Sequence, residues 1–296
     1  MRRFLLLLVL IAVLGAAAAW WISRPKPLPQ ARLDAIAALE GDAARGEQVF
    51  HAGGCASCHA EDGAEGAARR VLAGGQRLES EFGTFVVPNI SSHPEQGIGD
   101  WSVQDFANAM LRGVSPEGAH YYPAFPYTAY TRMTDRDLAD LWAYLRTLPA
   151  SDRANAPNEL AFPYTLRRGL GLWKWRNLSD DWVAAAPSET LERGRYLVEA
   201  LGHCAECHTP RDRFGGLDVA RWMGGAPNPS GRGRIPNITP AALDWSASDI
   251  AYYLETGFTP DYDSAGGTMA SVVKNTAELP ASDRQAIAAY VKGLAP

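Results

Sequence analysis

The amino-terminal end of the chain carries an uninterrupted apolar run, from Phe4 to Trp21. As a helix, these eighteen residues would rise about 1.5 Å each and span about 27 Å, close to the hydrocarbon core of a bilayer. Further along the chain, apolar residues recur at helical spacing, and no alternating strand pattern competes seriously. The hydrophobic pattern therefore predicts an all-α protein behind an amino-terminal transmembrane helix.

The pattern after residue 40 occurs twice. Pro88-Asn89-Ile90 recurs as Pro236-Asn237-Ile238, and a predicted helix from Ser102 to Gly113 recurs from Ser246 to Gly257, each with a serine N-cap and a closing glycine. A last helix follows in each half, over 137–148 and 283–294. Only two units exist and each is complete, which indicates tandem domains of three to five helices rather than a solenoid.

These features divide the chain into five segments. They are a membrane anchor or uncleaved signal (1–23), a spacer (24–40), a first domain (41–150), a connector (151–186) and a second domain (187–296). With 296 residues, each domain can bury its own core. The formal net charge of -5 leaves no basic excess to neutralise phosphates, so nucleic acid is not an expected partner.

Two interpretations of the amino terminus remain open. Trp20 and Trp21 would suit an interfacial aromatic belt, with Arg24 beyond them, and this favours a retained anchor. Ala17-Ala18-Ala19 is an acceptable small-residue cleavage site, as in a secretory signal. Positive charges flank both ends, so charge does not orient the segment.

The candidate chemistry lies in a five-residue motif that is present twice, as Cys55–His59 and Cys204–His208. Residues three and four apart share one face of a helical turn, so two thiols and an imidazole converge on one object. Cys-x-x-Cys-His is the attachment pattern of c-type haem, in which two thioethers form and the histidine coordinates the iron. The predicted haem-attachment residues are Cys55, Cys58, His59, Cys204, Cys207 and His208.

Three other uses of these cysteines are open in principle. They are a zinc site, a thioredoxin-like pair and ordinary disulfides. None of these requires a histidine directly after the second cysteine in both copies, and all 4 cysteines lie in the two motifs. The sequence therefore favours two covalently bound haems c.

The opposite side of each iron needs a second ligand if the haems only transfer electrons, and a methionine there raises the potential. Met269, in a loop before the final helix, suits the second haem. Met133 is our prediction for the first haem, with His120 as the alternative. The repeat does not align Met133 with Met269, because counting back from the last helices places Pro123 opposite Met269. The remaining candidates, Met110 and Met223, fit core packing and a proximal loop better. On the proximal side, the carbonyls of Pro88 and Pro236 are candidate partners for the other ring nitrogen of each histidine.

Four stretches together are more specific than the haem motif alone: Gly83–Ile90, His120–Tyr127, Met133-Thr134-Asp135 and Gly202–Arg211. In these stretches the chain resembles the membrane-anchored multihaem cytochrome c subunits of periplasmic alcohol, aldehyde and sugar-acid dehydrogenases. The resemblance implies class I cytochrome c modules that perform no substrate chemistry and pass electrons from a catalytic subunit towards quinone, another cytochrome or a terminal oxidase. Many members carry three haems where this chain has two motifs, and some have methionine where Phe125 stands.

Two functions follow as hypotheses. The first is an electron carrier in the cell inner membrane, with its haem domains in the periplasm because c-type haem is attached outside the cytoplasmic membrane. No carboxylate cluster, nucleophile elbow or phosphate loop argues for an enzyme. The alternative is a di-haem enzyme of peroxidase type, in which the first iron has an open distal position.

Overall fold

The computed structural model describes residues 1–229, 231 and 233–295. Helices account for most of the regular structure there. In chain order they are α1 (Arg2–Ile22), α2 (Gln30–Ala37), α3 (Ala43–Ala52), α4 (Cys55–His59), α5 (Val103–Arg112), α6 (Tyr127–Tyr130), α7 (Asp135–Leu145), α8 (Gly169–Asn177), α9 (Glu189–Arg195), α10 (Ala205–His208), α11 (Ala247–Thr256), α12 (Gly267–Thr276) and α13 (Ala281–Lys292). Short 3₁₀ turns cover Gly66–Arg70 and Val219–Arg221.

Small antiparallel sheets are an addition to the predicted all-α fold. The strands are β1 (Arg77–Ser80), β2 (Gly83–Val86), β3 (Glu159–Leu160), β4 (Ala226–Pro227) and β5 (Arg234–Ile235). They pair in the orders β1-β2-β3 and β4-β5. Strands of two to four residues are too short for the alternation of apolar and polar residues to show in the sequence.

We call the two halves of the molecule the first module (41–150) and the second module (187–296). Each module contains two helices that cross at a glycine. In the first module α3 crosses α7, where a Cβ on Gly46 would lie 2.0 Å from the carbonyl oxygen of Asp140. In the second, α9 crosses α13, where a Cβ on Gly194 would lie 2.1 Å from that of Ala286. Only glycine allows the backbones to approach this closely.

The predicted ends of the middle helices are confirmed. Ser102 and Ser246 form capping boxes with Asp105 and Asp249, and the helices α5 and α11 end at Gly113 and Gly257, both with positive φ. These devices satisfy the free N–H groups at the helix start and turn the chain at its end.

A local π-helix accommodates one extra residue in the segment before the second haem motif. One more residue separates Gly194 from Cys204 than separates Gly46 from Cys55. The segment Tyr196–Leu201 is a π-helix, continued by a bond from Gly202 N–H to the Leu197 carbonyl, five residues back. The extra residue therefore leaves the position of the second motif unchanged.

The spacer and the connector both take part in the packing. Residues 24–40 include α2, whose buried Leu33 and Ile36 face α5 and α7, so the predicted spacer belongs to the first module's core. In the connector, the Lys174 ammonium donates to the carbonyls of Arg112 and Gly113 at 2.8 and 2.6 Å. Further on, Glu199 accepts the N–H groups of residues 183 and 184, which ties the connector to the second module.

Candidate cofactor-binding sites

Each Cys-x-x-Cys-His motif forms a single helical turn with free thiols. A residue with positive φ precedes each first cysteine: Gly54 at 61° and His203 at 41°. The left-handed residue turns the chain sharply out of the preceding helix, so that the motif starts a new turn. The structure thus places the two cysteines and the histidine of each motif on one helical turn, as the spacing predicts.

The histidine of each motif is held by a proline carbonyl, as predicted. His59 Nδ1 lies 2.9 Å from the Pro88 carbonyl oxygen, and His208 Nδ1 lies 2.8 Å from that of Pro236. Because the carbonyl can only accept, Nδ1 carries the proton and Nε2 is left with its lone pair to bind a metal. The neighbouring backbone adds bonds of 2.7 Å to the histidine carbonyls, from the N–H groups of Gly74 and Gly225.

The ionisable groups of both motifs are driven towards their neutral forms. Burial lowers the pKa of His59 to about 4 and lowers that of His208, in each case against a smaller opposing effect of the proline carbonyl. Burial also raises the pKa of Cys55 and of Cys204 to about 12. A neutral imidazole with a free Nε2 lone pair is the form that ligates iron. Among the described residues, no group of three or more His, Cys, Asp or Glu side chains is arranged to hold a metal ion.

Matching hydrogen bonds establish which residues of the distal loops are equivalent. The N–H groups of Tyr121 and Ala265 donate to the carbonyls of Gly113 and Gly257, both at 2.7 Å. Counting on from these glycines places Phe125 opposite Met269, both twelve residues along. The alignment of Met269 with Pro123 is wrong, because two additional residues lie between Met269 and the last helix.

Met133 lies in the core at the foot of α7. It is 2% exposed, and its N–H donates to the Tyr130 carbonyl at 2.8 Å, as that of Leu279 donates to Thr276 at 3.2 Å. Both residues directly precede the N-cap of the last helix. Met133 is thus the counterpart of Leu279, whereas Met269 lies partly buried in the first turn of α12.

The other candidate ligands lie elsewhere. His120 is directed to the end of α1, with its Nε2 2.9 Å from the Ser23 carbonyl oxygen. Met223 is fully buried and accepts a backbone bond from Ile238, as Leu72 does from Ile90, so it packs on the proximal side. Met110 is a core residue of α5.

Each motif forms a hydrogen bond with the other module, and sequence reasoning missed both bonds. Ser57, inside the first motif, accepts a 2.7 Å hydrogen bond from Asn275 of the second module. Glu206, at the same place in the second motif, accepts a 2.7 Å bond from Thr128 of the first. Ser57 and Glu206 occupy the second variable position of the motif, which haem attachment does not restrict. The polarity of the two side chains was therefore the only sign in the sequence that they bind something else.

Tyr130 lies between the two haem-attachment segments. Its hydroxyl donates to the carbonyl of Gly53 at 3.1 Å, two residues before Cys55. Its ring packs edge-on against His203, the residue before Cys204, with centroids 5.7 Å apart. One buried side chain thus contacts the start of both motifs.

Comparison with known proteins agrees with this geometry. Residues 43–149 and 191–295 each match the cytochrome c family. A protein of Cereibacter sphaeroides named "Diheme cytochrome c-type" is 57% identical over 296 residues, which cover 99% of this chain and 98% of the relative.

Two further relatives are subunits of larger systems. A nicotinate dehydrogenase subunit of Pseudomonas putida is 37% identical over 262 residues, 84% of this chain and 21% of the relative. The fructose dehydrogenase cytochrome subunit of Gluconobacter japonicus is 35% identical over 268 residues, 84% of this chain and 52% of the relative. This chain therefore spans about a fifth of the first and about half of the second.

Proposed function

Because the chain belongs to the cytochrome c family, we propose that it relays electrons from a periplasmic dehydrogenase to a respiratory acceptor. It carries two covalently bound haems c, and each bound haem supplies a one-electron iron couple. The observation that carries the proposal is that each attachment motif bonds the other module, Ser57 to Asn275 and Glu206 to Thr128, while Tyr130 contacts the residues just before both motifs. Attachment sites tied together in this way would keep two bound haems close, which a relay requires.

The residues assigned to each haem are part of the proposal. Thioethers form at Cys55 and Cys58 for the first haem and at Cys204 and Cys207 for the second. The proximal ligands are His59 and His208, and the distal ligands are Met133 and Met269. The proline carbonyls orient both imidazoles. The assignment of Met269 is supported by its place in the first turn of α12, where it is only partly buried. The assignment of Met133 is supported by its being the methionine of the first module that lies outside the helices.

The donor is proposed from the relatives' names. Nicotinate and fructose dehydrogenases contain related chains, so the partner is the catalytic subunit of a dehydrogenase, and the acceptor is a quinone, another cytochrome or an oxidase. In this role the chain itself catalyses no substrate reaction. The chain's formal charge of -5, before the haem propionates are added, favours a basic docking face on one of the partners.

The location is proposed from the amino-terminal helix. Of the described helices, α1 is the one long and apolar enough to cross a membrane, and none of its residues is buried. A cleaved signal would have the same composition. Retention is supported by the length of this helix and by the exposed Trp20 and Trp21 at its end, which suit the level of the lipid headgroups. The Ser23 carbonyl accepts from His120 and the Trp20 carbonyl accepts from Arg168 at 2.7 Å, and these bonds tie the end of the helix to the rest of the chain. We therefore place a single anchor in the inner membrane and both haem modules in the periplasm.

One observation favours a second candidate function. Phe125 stands at the place of Met269, and a phenylalanine cannot ligate iron. If Met133 stays in the core, the first iron has an open distal position, as in a di-haem peroxidase. The two functions differ in the spin state of the first ferric haem, which is high when the position is open.

A co-purification experiment tests the relay. Membranes that express the tagged full-length chain are solubilised gently, and the attached subunit is identified by mass spectrometry. Adding the substrate of that subunit should reduce both haems, as seen in the α-band. A variant that lacks the second haem, Cys204→Ser/Cys207→Ser, should show half the α-band absorbance. A chain that stays oxidised with every copurified dehydrogenase and its substrate, yet reacts rapidly with peroxide, would favour the enzyme.

A further inference from the structure

The connector helix α8 is fixed between the anchor and the first module. On one face Gly171 lies against the backbone of Ser23, where a Cβ would meet the Ser23 carbonyl oxygen at 2.0 Å. On the same side, the buried ammonium of Lys174 binds the carbonyl end of α5. These contacts fix which face of α8 points inward, and therefore also which face points to solvent.

The outward face is apolar and basic. Leu172 and Trp175, three residues apart on α8, are 41% and 69% exposed, and Leu166 just before the helix is 59% exposed. Arg167 and Arg168 lie between them in sequence. We call these five residues the connector patch. A soluble domain rarely exposes large apolar side chains together unless they contact a partner.

The connector patch is continuous with the end of the anchor helix. The Arg168 guanidinium lies 4.2 Å from the centre of the Trp20 ring and also binds the Ser23 hydroxyl at 3.0 Å. Trp20 and Trp21 are 67% and 59% exposed. Tryptophans at the end of a membrane-spanning helix lie at the level of the lipid headgroups. The connector patch starts at this level.

We propose that the connector patch is a second membrane contact, seated in the headgroup layer of a bilayer that contains anionic lipid. Leucine and tryptophan side chains enter the acyl boundary, while the exposed Arg167 reaches the phosphates above it and Arg168 holds the patch against the end of the anchor. The inference rests on the proposed retention of α1. It adds that α8 lies along the membrane surface and stops the first module from turning about the anchor, so the first haem keeps one height above the bilayer.

Lipid photocrosslinking in nanodiscs tests this contact on the full-length holoprotein. A photoreactive phenylalanine analogue is placed at Trp175, at Leu10 inside the anchor, or at Tyr252, an exposed residue of α11 in the second module. The probe at Trp175 should crosslink to lipid, more so when phosphatidylglycerol is added to phosphatidylcholine, and the probe at Tyr252 should not. Arg167→Glu should reduce the phosphatidylglycerol-dependent increase at Trp175.

The controls separate the two proposals. If Leu10 crosslinks to lipid and Trp175 does not, the connector patch is not a membrane contact, while the anchor stands. If neither crosslinks, or if the purified chain has lost α1, the anchor proposal fails and the patch proposal fails with it. A probe at Trp175 that reacts in native membranes with a protein instead of lipid would show that the patch is a protein-docking face.

Discussion

Phe125 in the first module lies at the position that Met269 occupies in the second, twelve residues beyond the glycine that ends the preceding helix. The two modules are therefore alike on their proximal sides, where a proline carbonyl holds each histidine, and differ on their distal sides. Two haems with different distal surroundings have different potentials, and a potential difference gives a relay its direction.

Replacing Met269 by alanine should remove the distal ligand of the second haem. The long-wavelength charge-transfer band of methionine-ligated ferric haem should lose the contribution of this haem. Its potential should fall, within the range of about 0.8 V over which axial ligands set haem potentials. Redox titration with optical detection measures both effects. The matched control is Met223→Leu, a buried methionine on the proximal side, which should change neither. A second haem unaffected by Met269→Ala would disprove the assignment.

The ligand of the first haem can be tested by a pair of substitutions. If Met133 binds the iron, Met133→Leu should convert the first haem to a high-spin ferric form in electron paramagnetic resonance. Adding Phe125→Met should restore the low-spin signal, because it places a thioether where Met269 lies in the second module. A low-spin first haem in Met133→Leu alone would show that Met133 acts only in packing, as its counterpart Leu279 does.

Adding a side chain at Gly46, where α3 crosses α7, should destabilise the first module. In Gly46→Ala the added Cβ would lie 2.0 Å from the Asp140 carbonyl oxygen, so the helices must separate, and overpacking of this kind costs about 1–3 kcal/mol. Differential scanning calorimetry of the holoprotein should show a lower unfolding temperature. Gly169→Ala serves as the control, because a Cβ there meets no atom within 4 Å. Equal unfolding temperatures for the two variants would contradict the crossing argument.

The buried carboxylate of Asp140 should make stability depend on acidity. Burial raises its pKa, but the hydrogen bonds from Arg45 at 2.7 Å and from the Asp42 N–H outweigh burial, so the pKa lies below its usual value. A carboxyl with a lowered pKa contributes stability above its unfolded pKa of about 3.9, and this is lost as pH falls through the folded value. Thermal melts followed by circular dichroism should show a shallower acid decline in Asp140→Asn than in the wild type. An identical pH profile in both would exclude this role.

The sequence predicted those parts of the structure that depend on local rules. The caps at Ser102 and Ser246 follow from short-range spacing. The contacts that depend on how the two modules meet did not follow, because the partners of Ser57 and Glu206 are more than seventy residues away.

The distal side shows the same limit. His120 was a candidate ligand from its position in the loop, but the end of α1 binds its ring. The segment between Met269 and the last helix is two residues longer than the segment after Phe125, which hid the equivalence of these two residues in the sequence. The matching backbone bonds to Gly113 and Gly257 reveal it.

The relay itself is tested most directly by removing one haem at a time. Membranes that contain the dehydrogenase and either Cys55→Ser/Cys58→Ser or Cys204→Ser/Cys207→Ser are supplied with substrate, and electron delivery to the acceptor is measured as quinone reduction or oxygen uptake. If electrons pass through both haems in series, each variant should lose almost all of the wild-type rate while still binding the dehydrogenase. A wild-type rate in either variant would contradict the account.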